Sequence, residues 1–218
     1  MSQHTLTLLR FTYKKLKEKL TVSDSKKLFH EQFPYVIPGL YKKIVDEMLV
    51  ELNLLDHQNE FTQEHLFCIG LTETFKELMK DYNPEQHLDL LFESLCISTN
   101  FEPNKINEIS QKSQEELKDK SSEDLLKLLK DKFTSKVYPS RILNLGLYIL
   151  ISNSKDFRDK NETERNKMIS DIFEKLNLSY SKAEKDIGIY ESSISKMEQA
   201  KELIEELKVK DKKKVNKQ

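Results

Sequence analysis

The chain has 218 residues, a third of them charged, with four glycines, five prolines, two cysteines and a net charge of −1. So few backbone breakers, against average usages of about 7% and 5%, exclude a turn-rich β architecture, and two cysteines exclude a disulfide framework. The charge is uneven: residues 1–20 carry +4 and residues 208–218 carry +5, which leaves −10 for the body between them and gives that body no basic face for nucleic acid.

Residues 5–20 put Leu6, Leu9, Tyr13, Leu16 and Leu20 on one helical stripe, with Lys14, Lys15, Lys17 and Lys19 mostly off it. This basic amphipathic extension fits docking on the body, contact with a membrane interface, or a transit segment. Ser23 reads as the N-cap of a short helix to about Gln32. Pro38 opens the next helix, with Tyr41, Ile44, Val45, Met48, Leu49 and Leu52 on one face. A long helix follows from about Gln63 to Tyr82, where Phe67, Leu71, Phe75, Leu78, Met79 and Tyr82 recur at threes and fours. Gly70 lies inside it at a cost of about 1 kcal/mol relative to Ala, so close approach by another backbone is expected there.

Pro84 starts a helix carrying Leu88, Leu91, Phe92 and Leu95; Pro103 starts a more polar one with Ile106 and Ile109; Ser122 reads as the cap of Leu125 to Leu129. Ile142 to Ile151 is apolar nearly all round, the mark of a buried helix, and Gly146 within it repeats the expectation for Gly70. This stretch is the longest apolar run, yet shorter than the roughly 20 residues a spanning helix needs, so the chain reads as soluble or peripheral. Asn161 or Thr163 begins a helix with Met168, Ile169, Ile172 and Phe173. From about Ser181 a narrow stripe of Ile187, Tyr190, Ile194 and Met197 forms a coiled-coil-like seam, displaced by three residues before Ala200, Ile204 and Leu207. No segment alternates with period two.

The expected architecture is all-α: a basic extension (1–20), a multi-helix bundle (21–178), a long C-terminal coiled-coil-like helix (179–207) and a basic disordered tail (208–218). Phe67, Phe75, Met79, Leu91, Phe92, Leu145 and Tyr148 are expected in one core. The seam residues Ile187, Tyr190, Ile194 and Met197 are the candidates for partner binding, since such a stripe can close on the body or on a partner. Arg141 opens an apolar helix where a cation faces an unfavourable dipole, so a carboxylate partner is expected, with Glu47 and Glu51 the candidates.

No catalytic signature is present: there is no glycine-rich phosphate loop, serine elbow or His-Glu-x-x-His. His65 and Cys68 are one helical turn apart, but the downstream pair His87 and Cys96 lacks a usual zinc-ligand spacing and both thiols sit among apolar neighbours, so neither metal nor cofactor is expected.

Four ordered blocks carry a resemblance. They are Thr21-Val22-Ser23-Asp24-Ser25-Lys26 with Phe29; Pro38 to Leu55 with Tyr41, Glu47 and Glu51; Phe67-Cys68-Ile69-Gly70-Leu71 through Pro84-Glu85; and Ser140-Arg141 with Gly146-Leu147-Tyr148. Together they resemble the Thylakoid Formation family, or photosystem II biogenesis protein family, of cyanobacteria and plastids. The resemblance implies an all-helical, non-enzymatic accessory protein on the cytoplasmic or stromal side of thylakoid membranes. It implies partnership with FtsH-type membrane proteases in photosystem II biogenesis and repair. The basic termini add a contact with anionic thylakoid lipid as an expectation. Read from the residues alone, a helical adaptor or membrane-surface protein unrelated to photosynthesis stays open.

Overall fold

The computed structural model describes residues 19–59, 61, 65–132 and 139–215. The stripe expected over residues 5–18 lies outside them, as do the side chains of Ile204, Leu207 and the basic tail. Among the described residues the chain is helical without a strand. In chain order the helices are α1 (Val22–Gln32), α2 (Gly39–Asp56), α3 (His65–Leu78), α4 (Leu88–Ile97, after a 3-10 turn at Glu85–His87), α5 (Pro103–Leu117), α6 (Ser122–Lys132), α7 (Arg141–Ser152), α8 (Glu162–Lys175) and α9 (Tyr180–Val215). The stretch read as one bundle contributes to two compact units: residues 1–61 with 82–104, and residues 62–81 with 105–218.

The first unit is built on α1, α2 and α4, which pack on one another pairwise. Thr21, not Ser23, is the N-cap of α1: its side chain accepts from the Asp24 N–H, and the Asp24 carboxylate returns a bond to the Thr21 N–H. This reciprocal box satisfies two otherwise orphaned donors. Phe29, Phe33, Leu52, Leu91 and Leu95 are buried in this unit. Asn53 is buried too, and its amide donates to the Leu20 carbonyl at 2.7 Å and to Ser25 Oγ at 2.9 Å, tying the entry of the chain to α2. Lys19 reaches the far end of α2, donating to the His57 carbonyl at 2.9 Å, where a cation suits the helix dipole. Between α1 and α2 the short loop from Phe33 to Pro38 holds Tyr35 stacked on His87, with ring centroids 3.8 Å apart.

The second unit contains α3, α5, α6, α7, α8 and α9. Every residue from Leu66 to Thr72 and from Ile142 to Leu147 is buried, as an apolar surface on all sides requires. The helix α3 ends at Leu78, short of the expected Tyr82; Met79 and Tyr82 are nonetheless buried. Leu91 and Phe92 are buried in the first unit and Phe67, Phe75, Met79 and Leu145 in the second, while Tyr148 is only half-buried, so the residues expected in one core fall in both units. The helix α5 meets α3 through hydroxyls: Thr72 Oγ1 and Ser110 Oγ lie 2.6 Å apart, and His65 Nδ1 lies 2.6 Å from Ser113 Oγ. Ser121 rather than Ser122 supplies the hydroxyl that caps α6, accepting from the Asp124 N–H, while Asp156 accepts from the Ser122 N–H at 2.8 Å. Ser140 caps α7 and Asn161 caps α8, the latter in a second reciprocal box with Glu164.

Candidate functional site

The sequence-predicted residues converge most clearly where α3, α7 and α9 meet. Gly70 and Gly146 face each other across the α3–α7 crossing. A Cβ placed on Gly70 would overlap the Ile142 carbonyl oxygen and lie 2.9 Å from the Gly146 nitrogen. One placed on Gly146 would overlap the Leu66 carbonyl oxygen and lie 2.9 Å from the Gly70 nitrogen. Each missing side chain is thus replaced by the other helix's backbone, the close approach expected of both glycines.

On this pair lies α9, which packs against α7, α3 and α8. Its inner face buries Ala183, Ile187, Tyr190 and Met197, while Ile194 is half-buried. Three polar ties run along the same face. Asn144 Nδ2 donates to Asp186 at 2.8 Å, the Tyr148 hydroxyl donates to Glu191 at 2.6 Å, and Lys201 pairs with Asp81. Asn144 and Tyr148 are one turn apart on α7, so both face the same neighbour.

This geometry corrects the seam. Ile187, Tyr190 and Met197 are covered by their own unit, and a covered side chain offers no surface to a partner. Burying each contributes about 1.5–3 kcal/mol, so this part of α9 serves the core. Beyond Lys201 the outward-facing Leu203 is 58% exposed, and the helix continues to Val215. Between Lys201 and the body is a shallow groove of ≈ 300 Å³ bordered by Glu77, Asp81, Ile194, Met197 and Glu198.

The electrostatics are those of a fastened helix. Burial, the hydrogen bond to Glu191 and that carboxylate's charge push the Tyr148 phenol up to about 12. Burial, with the charge of Glu77 behind it, pushes the Tyr190 phenol upward as well. The hydrogen bond from Lys201 holds the Asp81 carboxyl below its usual range. Both phenols therefore stay protonated at neutral pH, and Tyr148 acts as a donor, not a base.

Arg141 opens α7, and Glu47 and Glu51 lie on α2, where Glu47 pairs with Lys43 at 3.8 Å. Cys68 and Cys96 are both buried. Among the described residues no group of three or more His, Cys, Asp or Glu is placed to hold a metal ion. No described helix is long and apolar enough to cross a membrane. The polar ties at Asp186, Glu191 and Lys201 escape the sequence reading, because a carboxylate on a helical surface looks the same whether solvated or paired. Asn144 is the exception: one amide inside an apolar run is a signal of a buried hydrogen bond.

Comparison with known proteins places these features. The Thylakoid formation protein family model matches residues 21–218. Protein Thf1 of Prochlorococcus marinus (strain MIT 9312) is 78% identical over 199 residues, covering 91% of this chain and 99% of that protein. Protein Thf1 of Prochlorococcus marinus subsp. pastoris (strain CCMP1986 / NIES-2087 / MED4) is 71% identical over 198 residues, covering 91% and 98%. Among solved structures, that of Psb29 superposes with a TM-score of 0.77 at 26% identity, over 91% of this chain and 100% of the other.

Proposed function

The chain belongs to the thylakoid formation protein family, and we propose on that premise that it is a non-enzymatic accessory factor for photosystem II biogenesis and repair, acting by binding and supporting FtsH-type membrane protease complexes. Its role is thylakoid-related, and the proposal adds the partner, the process and the cytoplasmic or stromal side of the membrane. The observation that carries it is the family match over residues 21–218, which takes in most of both compact units and the whole of α9.

The surface offered to the protease is the outward face of α9 and its continuation past Lys201, in place of the buried seam. An amphipathic helix whose inner face is occupied still presents its other side and its free end. The test removes residues 204–218 and leaves the buried stretch of α9 intact. The shortened chain is expected to keep its unfolding transition and to lose capture of the protease complex from detergent-solubilised thylakoid membranes, while the full chain captures it. Equal capture by both moves the binding surface to the helical body. Failure of the full chain to retain the protease overturns the proposed partnership.

A further inference from the structure

We propose that the loop between α1 and α2 is an interfacial membrane anchor whose apolar tip enters the headgroup boundary of an anionic bilayer while the lysines at the start of α2 meet the lipid phosphates. In a chain with a charge at every third residue on average, the nine residues from Phe33 to Tyr41 carry none, and all except Gly39 are apolar or aromatic. The comparable uncharged runs in α3 and α7 are core. This one comes to the surface: Val36 is 91% exposed and Tyr35 47%, and Pro34 and Pro38 are exposed beside them. Exposure that high describes a convex tip, which fits a bilayer boundary and needs no concave partner.

The tip is held out from the body by its base. Phe33 is buried and stacked on Phe29, its ring meets His87 edge-on, and His87 in turn stacks flat on Tyr35. A proline at each end restricts φ, so little further ordering is needed on insertion. Tyrosine, with an apolar ring and a polar end, suits the headgroup level.

Charge follows in matching order. The first turn of α2, Gly39 to Tyr41, is uncharged, and Lys42 and Lys43 come next. Their partners Asp46 and Glu47 lie one turn further on, so the cations stand about 5.4 Å nearer the tip. The Lys42 and Lys43 side chains are 56% and 85% exposed, so lipid phosphate can compete with Asp46 and Glu47 for them. Glu31, two residues before Phe33, is the opposing charge closest in sequence. The anchor lies at the N-terminal end of α2, about 27 Å along that helix from the end that Lys19 reaches. The inference rests on the thylakoid reading only for which membrane is met.

The chain has no tryptophan, so Val36→Trp supplies a single reporter. With vesicles of phosphatidylglycerol and phosphatidylcholine, its emission is expected to shift to shorter wavelength and to be quenched by brominated acyl chains. Ile189→Trp, on the half-exposed outer side of α9, is expected to stay unshifted. Val36→Asp, at a site too exposed to disturb folding, should lower vesicle co-sedimentation about tenfold while leaving protease capture unchanged. An unshifted Val36→Trp, whether or not the chain sediments with the vesicles, overturns the anchor, as does an equal shift from Ile189→Trp. A shift produced by the lipid-free protease complex and not by vesicles makes the loop a protein-docking element and overturns it too. Loss of protease capture by Val36→Asp with vesicle binding intact likewise makes the loop a protein-docking element and overturns the anchor, whereas failure of the unsubstituted chain to capture the protease bears only on the proposed partnership.

Discussion

Replacing Gly146 with alanine tests the helix crossing on which the second unit is built. The new methyl would overlap the Leu66 carbonyl oxygen and lie 2.9 Å from the Gly70 nitrogen and 3.1 Å from the Gly70 Cα. All three are backbone atoms of a buried helix, so no side-chain rotation relieves the overlap and α3 and α7 must separate. Overpacking of this kind costs about 1–3 kcal/mol, and the absence of a soft neighbour puts it at the upper end. Against this stands the helix-propensity gain of alanine over glycine, about 1 kcal/mol. The expected net loss is about 2 kcal/mol, or a fall in Tm of about 4–8 °C for a chain of this size. Circular dichroism melts read it directly. Gly188→Ala is the matching control, because nothing lies within 4 Å of a Cβ there. It receives the propensity gain alone, a rise in Tm of about 2–4 °C. A Gly146→Ala protein as stable as the parent would refute the close-contact reasoning.

Other outcomes follow from the polar ties. Tyr148 stays un-ionised in the fold up to about 12, whereas an unfolded tyrosine titrates near pH 10. Its contribution is therefore complete below about pH 10 and lost as pH rises through about 12; urea melts over that range should show a decline that Tyr148→Phe flattens. A variant declining just as steeply would assign the alkaline loss elsewhere. Asn53→Ala removes both bonds to Leu20 and Ser25 and should cost about 2 kcal/mol by urea unfolding. Thr21→Ala removes the α1 cap and should cost about 1 kcal/mol, whereas Ser23→Ala should be near neutral; the reverse order would restore Ser23 as the cap.

Much of this was legible in the sequence because helical periodicity reports burial. It placed α2, α7 and α8 and singled out Gly70 and Gly146, the two glycines that a tight crossing needs. Periodicity does not report hydrogen bonding, so it carries α3 on to Tyr82: that ring is buried, but its backbone has left the helix. Adjacent hydroxyl residues compete for one cap, and the choice between Thr21 and Ser23, or Ser121 and Ser122, turns on backbone geometry that composition does not carry. The stripe of Ile187, Tyr190 and Met197 reads in sequence as a partner-binding surface, because a narrow apolar stripe needs cover and does not say which surface supplies it. What covers it is a tertiary fact, and here the cover is its own unit.

The glycine pair also decides alignment. Two helices covered in Leu, Ile and Phe can slide past each other by a residue or a turn and still bury comparable area, so apolar matching alone specifies their axial position poorly. Gly70 and Gly146 remove that freedom, since any other setting sets a bulky side chain against a backbone that leaves no room for it. The notch thereby fixes the height of Asn144 and Tyr148 on α7, and through them where Asp186 and Glu191 can fasten α9. Where the long helix sits along its unit is, in this sense, measured out from two hydrogen atoms where side chains would otherwise be.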